Sequence, residues 1–156
     1  MIYLGGDHRG FELKEAIKEY LNSKGEAFED LGDIELNPED DYPVFAEKVA
    51  RAVAKDSIAS LQNDGSKGIV ICGSGAGVDI TANKVDGVRC ALAFDVERAK
   101  EAREHDNANV MALPADALES NVALEMVKTF LETPYTGEER HQRRLDEIKE
   151  IEENQE

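Results

Sequence analysis

The sequence predicts an α/β fold in which a parallel sheet lies between two layers of helices. Apolar segments of strand length alternate with segments whose apolar residues recur at helical spacing, and glycines or acids follow several strand segments. With 156 residues the chain fits one domain, residues 1–156, around one core. We therefore expect a three-layer, Rossmann-like domain with a five-stranded parallel sheet. Its ligand crevice should lie at the carboxyl ends of the strands.

The first half of the chain is predicted to contain three strands and two helices. Residues 1–4 form an apolar strand that runs into two glycines, after which the first helix begins. A short strand is expected over 27–31. The second helix should end near Asp64, and residues 67–72 form a β-branched strand that leads into a glycine-rich turn. The apolar stripes of the two helices are Leu13, Ile17 and Leu21, then Val44, Phe45, Val49, Val53 and Ile58.

The second half of the chain continues this alternation and ends in a different kind of helix. Residues 134–156 form a charged extension helix with a narrow apolar stripe, Leu145, Ile148 and Ile151. Such a stripe favours packing on a partner subunit, with packing on the same chain as the alternative. The remaining elements are strands over 88–94 and 109–113 and helices over 95–104 and 118–131.

The composition disfavours several classes of partner. The chain carries 34 acidic and 18 basic residues, a net charge of −16, which disfavours nucleic acid and anionic membrane surfaces. The amino terminus lacks a secretion signal and no apolar run is as long as a membrane span, so we expect a cytoplasmic protein. The two cysteines, Cys72 and Cys90, have neither a CxxC nor a zinc-ligand spacing. Free thiols are expected, and no metal or cofactor.

The segment ICGSGAG, residues 71–77, is the most informative motif. Glycines after a strand let backbone N–H groups converge on an anion at the start of the next helix. A tight strand-to-helix turn that needs positive φ would use the same glycines. Val78 stands where a dinucleotide fingerprint requires glycine, and a Walker loop would need Lys-Ser or Lys-Thr. We therefore interpret the segment as an anion cradle outside both motifs.

Candidate acids and bases lie beside predicted strand ends. Cys72 ends the third strand at the cradle, where a lowered thiol pKa would make it a base; a buried structural cysteine is the alternative. Asp7 and His8 follow the first strand and suit proton transfer or phosphate binding. His105, which precedes the fifth strand, is expected at the same crevice as a general acid or else on the surface.

One dense basic cluster stands out in this acidic chain. Arg140, His141, Arg143 and Arg144 lie within five residues of one another in the extension helix. A solvated helix face would explain the cluster, but its contrast with the background charge favours an anion site.

Several sequence blocks together resemble the ribose-5-phosphate isomerase B and galactose-6-phosphate isomerase family. The resemblance covers essentially the whole chain. It suggests an enzyme without a cofactor that interconverts ribose 5-phosphate and ribulose 5-phosphate in the pentose phosphate pathway. The thiol at Cys72 points to the ribose-phosphate branch. The matching blocks are GGDHRGFELK, the DYP at 41–43, GIVICGSGAGVDITANKVDGVR, HDNANV and GEERHQRR.

The resemblance assigns roles to individual residues. Cys72 would move a proton between C1 and C2 through a cis-enediolate, with Ser74 beside it. Asp7 and His105 would assist ring opening, and Asp106 would lie beside the sugar. Members of the family are homodimers or homotetramers with sites across the subunit interface, so His105 could serve the neighbouring subunit's Cys72. The implied substrate-binding residues are His8, Tyr42, Gly73, Gly75, Ala76, Gly77, Asn83, Arg140 and Arg144.

Three departures from the family pattern leave acids near the implied site. Asp106 replaces an amide, Asp116 stands where an arginine is expected to help bind phosphate, and Asp79 lies in the helix after the cradle. Added negative charge would oppose a phosphate dianion. Another sugar phosphate or an unphosphorylated aldose therefore remains an alternative substrate. A non-catalytic sugar-phosphate-binding regulatory module is the alternative from another class, although binding alone would not require the thiol.

Overall fold

The computed structural model describes residues 1–59 and 65–155, except for the side chains of residues 58 and 59. The expected end of the second helix near Asp64 lies outside the described residues, as does the side chain of Ile58. Strands and helices alternate as predicted. The strands are β1 Ile2–Gly6, β2 Phe28–Asp30, β3 Lys67–Cys72, β4 Cys90–Leu92 and β5 Val110–Pro114. The helices are α1 Phe11–Lys24, α2 Tyr42–Ala59, α3 Ala76–Ala82, α4 Val96–Glu104, α5 Ser120–Glu132 and α6 Glu139–Glu153.

The five strands form one parallel sheet in the order β2-β1-β3-β5-β4, which confirms the predicted α/β, Rossmann-like fold. β4 is shorter than the predicted strand over 88–94. It ends at Leu92 because Asp95 already caps α4, accepting the N–H of Arg98 at 2.7 Å. After β1 the chain forms β2 at one edge of the sheet, and after β3 it forms β4 at the other edge. The carboxyl ends of β1 and β3 therefore border the switch point where ligands bind in open α/β sheets.

Two apolar clusters, one on each face of the sheet, form the core. One contains residues of α1, α4 and α5, and the other contains residues of α2 and α3. Because successive strand residues point to opposite faces, Ile69 and Ile71 join the first cluster while Val70 and Cys72 join the second. The side chain of Cys72 is thus directed toward the α2 and α3 face.

A fully buried lysine connects α1 to β2. The ammonium of Lys14 donates to the Asp30 carboxylate at 2.5 Å and to the Asp33 carbonyl at 2.9 Å, and Lys18 contacts Asp30 at 2.8 Å. Burial alone would raise the pKa of Asp30, but hydrogen bonds from Lys14, Lys18 and the Gly32 N–H hold it below its ordinary value. This ion pair fixes the edge strand to the helix that follows β1.

The extension helix α6 contacts its own chain near both ends. His141 near its start is buried, and the Glu152 carboxylate near its end accepts the N–H of Gly87 at 2.7 Å. A cavity of about 850 Å³ lies between α6 and the body, and Ile148 remains half exposed. Packing of α6 on a partner subunit stays a prediction. In the described part of the chain, no helix has the length and apolar character needed to cross a bilayer.

Candidate active site

The glycine-rich segment forms a tight turn between the end of β3 and the start of α3. Gly75 has φ +74°, a left-handed conformation that side chains rarely adopt, so glycine is required there. The Gly75 N–H donates to Sγ of Cys72 at 3.2 Å, and the Cys72 residue is only 4% exposed. Ser74 is exposed at the tip of the turn. The thiol therefore lies beneath the turn and is held by its backbone.

Three side chains from distant parts of the sequence contact the three glycines of the turn. A Cβ atom on Gly73 would overlap the guanidinium of Arg9. One on Gly75 would lie 2.5 Å from Cδ1 of Leu92 and 3.0 Å from the backbone nitrogen of Pro114, and one on Gly77 would lie 2.5 Å from Cζ of Tyr42. The φ of Gly75 and its contact with the Pro114 backbone require glycine there, whereas the contacts at Gly73 and Gly77 are with the movable ends of Arg9 and Tyr42. These contacts place the expected ligand Tyr42 beside the turn, and Ala76, another expected ligand, follows Gly75 in it.

Asp7 is buried beside the end of β3. Its carboxylate accepts the N–H groups of Arg9 at 3.0 Å and Gly10 at 3.1 Å, and its own N–H donates to the Ile71 carbonyl at 3.2 Å. Gly10 leaves room for this contact, since a Cβ there would lie 2.7 Å from the Ile71 oxygen. The loop after β1 is thus held against the strand that ends in the thiol.

His8 is oriented by an acid that the sequence did not single out. Nδ1 of His8 lies 2.7 Å from Oδ1 of Asp40, and the His8 backbone N–H donates to the same oxygen at 2.9 Å. This pairing leaves Nε2 of His8 for a ligand. The only sequence signal for Asp40 is its position just before the DYP block. Ligand atoms of Asp7, His8 and Asp40 all lie within 4.8 Å of one another.

Arg9 and Asp116 form an ion pair at the same turn. Nη2 of Arg9 donates to the Asp116 carboxylate, and the Asp116 N–H donates to the Gly73 carbonyl at 3.0 Å. Both side chains are about half exposed. Sequence reasoning noted Asp116 as a departure but did not select Arg9, which lies 107 positions away from it. The added charge of Asp116 is therefore offset locally.

The structure places His105 at the amino ends of the parallel strands, whereas Cys72 lies at their carboxyl ends. We call these two sides of the sheet its amino edge and its carboxyl edge. In the pairing of β3 with β5, Gly68 lies opposite Val110 and Cys72 lies opposite Pro114. Val110 and Pro114 are four residues apart, which corresponds to about 13 Å along a strand. His105 follows α4 and precedes β5, so it lies at the amino edge. The expectation that His105 shares a crevice with Cys72 is wrong within one chain, because a residue before a parallel strand lies at its amino end.

A second group of predicted residues lies before β5 and at the start of α6, and the contact between His105 and His141 joins its two parts. We call this group the amino-edge cluster: His105, Asp106, Arg140, His141 and Arg144. The rings of His105 and buried His141 lie 4.6 Å apart. Arg140 is exposed and contacts Glu138 at 3.0 Å, and Arg144 is exposed one turn further along α6. Arg89, which sequence reasoning missed, donates to the Asp106 carbonyl at 3.2 Å. Burial lowers the pKa of Arg89.

Asn83 connects α3 to β4. Its side chain accepts the Cys90 N–H at 2.9 Å and donates to the Cys90 carbonyl at 2.9 Å and the Asp79 carbonyl at 3.1 Å. Burial and the neighbouring Asp79 raise the pKa of the Cys90 thiol well above its ordinary value. Burial also raises the pKa of Asp79. These contacts lie at the end of α3 that is away from the cradle. Within one chain, the side chain of Asn83 therefore joins α3 to the edge strand β4.

These features define an α/β protein with a candidate small-molecule site at the switch point of a parallel sheet, built on a glycine turn and a thiol. Residues 2–148 match the family described as Ribose/Galactose Isomerase, and the chain belongs to that family. Ribose-5-phosphate isomerase B of Mycobacterium tuberculosis is 42% identical over 151 residues, which cover 97% of this chain and 89% of the relative.

Solved structures of relatives have the same fold. Ribose-5-phosphate isomerase B from Mycoplasma genitalium, with bound ribulose-5-phosphate, superimposes with a TM-score of 0.91 at 41% identity, covering 98% of this chain and 96% of that one. The Clostridium thermocellum ribose-5-phosphate isomerase B superimposes with a TM-score of 0.90 at 38% identity, covering 99% of both chains. The family resemblance stated from the sequence is confirmed.

Proposed function

We propose that this protein is an aldose–ketose isomerase that interconverts ribose 5-phosphate and ribulose 5-phosphate, with Cys72 as the base. The observation that carries the proposal is the position of the Cys72 thiol under the glycine turn at the switch point, 3.2 Å from the Gly75 N–H. The turn thus holds the sulfur at the carboxyl end of β3, where the substrate of an open α/β sheet is expected to bind. The names of the relatives and the ribulose-5-phosphate bound in one of them support the substrate.

The proposed reaction moves one proton between adjacent carbons. The Cys72 thiolate takes the proton from C2 of the open-chain aldose, and the C–H electron pair becomes the C1–C2 double bond of a cis-enediolate. The negative charge goes to O1, where N–H groups of the 73–77 turn can stabilise it. The thiol then returns its proton to C1 while the O2 proton moves to O1, which leaves a carbonyl at C2. Asp7 assists ring opening before this step.

Two copies of the chain are needed to complete this site. Cys72 and His105 lie on opposite edges of one sheet, so His105, Arg140 and Arg144 can reach the thiol only from a neighbouring chain. A homodimer or homotetramer in which the amino-edge cluster of one copy covers the cradle of the other satisfies this geometry. His8 of the first copy and the two arginines of the second would then hold the phosphate.

Incubation with a panel of phosphorylated and free aldoses in heavy water tests the proposal. We expect ketose formation and deuterium exchange at C2 with ribose 5-phosphate and slower or no turnover of free ribose. Turnover of another sugar instead would change the substrate assignment. Binding without exchange of any C2 proton would favour the regulatory-module alternative.

A further inference from the structure

We propose that Arg9 binds the phosphate group of the substrate and so sets the preference for phosphorylated over free sugars, an inference that rests on the function proposed above. Arg9 lies in the loop between β1 and α1, and its guanidinium covers Gly73, the first residue of the glycine turn. A cation in direct contact with an anion cradle adds charge where the backbone already offers N–H donors.

Arg9 is held in place from both ends. At its backbone, the N–H donates to the buried Asp7 carboxylate at 3.0 Å. At its tip, Nη2 donates to Asp116, whose own N–H donates to the Gly73 carbonyl at 3.0 Å. The guanidinium is therefore oriented before any ligand arrives, which reduces the entropy lost on binding.

The guanidinium and the thiol lie at neighbouring residues of the turn. Cys72 belongs to the core cluster on the α2 and α3 face. Gly73 follows it as the first residue of the turn, and the guanidinium of Arg9, from the loop before α1, lies over Gly73. A pentose phosphate has its reacting carbons and its phosphate at opposite ends. With C1 and C2 at Cys72, the phosphate end can extend toward Arg9.

Arg9 also has the capacity to bind a further anion. Its side chain is 53% exposed, and among the described residues only Nη2 has a side-chain partner, the half-exposed Asp116. Nε and Nη1 therefore remain available, and a guanidinium can bind phosphate through two parallel N–H groups. At position 116 the family resemblance implies an arginine. This chain has Asp116 there instead, and the Asp116 carboxylate orients Arg9.

The test compares wild type, Arg9→Gln, Arg9→Lys and a matched control, Arg51→Gln. Arg51 is also exposed and paired with a carboxylate, Glu47, at 2.8 Å on α2. Steady-state kinetics on ribose 5-phosphate and on free ribose are combined with titration of inorganic phosphate by calorimetry. Thermal unfolding shows whether each variant folds.

For Arg9→Gln we expect KM for ribose 5-phosphate and Kd for inorganic phosphate to rise by about 10- to 100-fold, the loss expected for one charge-assisted contact. The kcat value should change by less than about threefold, and turnover of free ribose should not change. Arg9→Lys should fall between these values because an ammonium keeps the charge without the planar fork. Arg51→Gln should match wild type.

Unchanged KM and phosphate affinity in a folded Arg9→Gln variant would overturn the inference. An equal loss of kcat on both sugars with KM unchanged would also overturn it, since that result would place Arg9 at the reacting carbons. If wild type does not convert ribose 5-phosphate, the proposed function fails, while the phosphate titration still decides the role of Arg9.

Discussion

The Cys72 thiol is nearly inaccessible and yet has a backbone donor at hydrogen-bonding distance. We predict that Cys72→Ala lowers kcat by about two to four decades, the usual loss of a general base, while the thermal midpoint changes little. The change removes one sulfur atom, and with it the acceptor of the Gly75 N–H, but alters no residue of the glycine turn. Steady-state kinetics and thermal unfolding measure the two effects.

Cys90→Ala is the matched control for that experiment. The Cys90 thiol lies beside Asp79 at the α3 and β4 contact, and its raised pKa keeps it protonated near neutral pH. We expect this variant to retain activity. Near-normal turnover in Cys72→Ala would instead make Cys72 a structural residue and refute the proposed chemistry.

Activity should not depend on a divalent metal ion, although Asp7, His8 and Asp40 come close together. Nδ1 of His8 already contacts Asp40 at 2.7 Å, and the Asp7 carboxylate accepts two backbone N–H groups, so these atoms have partners within the protein. We predict equal rates before and after dialysis against EDTA. Loss of activity that returns on adding Mg²⁺, Mn²⁺ or Zn²⁺ would show that the cluster binds a required ion.

At the scale of single residues, the sequence indicated the site where a local motif carried the signal. Cys72, the glycines and Asp7 follow strands directly, so their positions could be predicted from order along the chain. The pairs Arg9–Asp116 and His8–Asp40 could not be predicted, since their members are 107 and 32 positions apart and meet only after folding. From the sequence alone, Asp116 therefore adds an uncompensated negative charge, whereas in the structure Arg9 offsets it.

At the scale of elements, the buried ion pair between α1 and β2 makes a testable difference to stability. We predict that Asp30→Asn destabilises the fold by about 3 to 5 kcal/mol, because it leaves the fully buried Lys14 ammonium without its closest carboxylate. Lys14→Met should be milder, since Asp30 keeps Lys18 and the Gly32 N–H. Chemical denaturation of both variants measures the difference, and equal losses would contradict this account.

The same pair predicts a pH dependence of stability. The pKa of Asp30 is lowered in the fold from an ordinary value of 3.8, so its contribution is fully present above that value. It should be lost as the pH falls below 3.8 and through the folded-state pKa. Acid unfolding curves of wild type should therefore show a loss in this range that Asp30→Asn lacks.

The order and type of the elements followed from hydrophobic periodicity, because buried helix and strand faces repeat with different periods. The error at this scale concerned direction. The expectation that His105 lies at the crevice is wrong within one chain, because His105 precedes β5 and residues before a parallel strand lie at the amino edge. Whether α6 packs on its own chain or on a partner could not be decided from its stripe, since the same residues Leu145 and Ile148 would serve either contact.

For the whole molecule, the two-copy site proposed above predicts complementation between two inactive variants. Cys72→Ala and His105→Gln homodimers should each be nearly inactive. In randomly mixed dimers, half of the molecules would contain both variants and one of their two sites would be intact, so about a quarter of wild-type activity should return. Co-expression with two different affinity tags allows the mixed species to be isolated and assayed.

A dimer isolated with both tags but without recovered activity would show that the two residues do not act across an interface. A monomer by light scattering at assay concentration, fully active, would refute the shared site as well. Wild type co-expressed with the double variant Cys72→Ala/His105→Gln serves as a control, because neither site of that mixed dimer would combine an intact Cys72 with an intact His105 across the interface.

The glycine turn also limits how this gene can change over generations. Arg9, Tyr42 and Leu92 belong to three different parts of the chain, and each occupies the space where a turn residue would otherwise have a side chain. A side chain at position 77 therefore requires the ring end of Tyr42 to move, and one at position 75 would also require backbone movement near Pro114. Substitution of Gly75 therefore demands a change of the backbone itself, so descendants of the chain can alter their surface long before they can alter this position of the cradle.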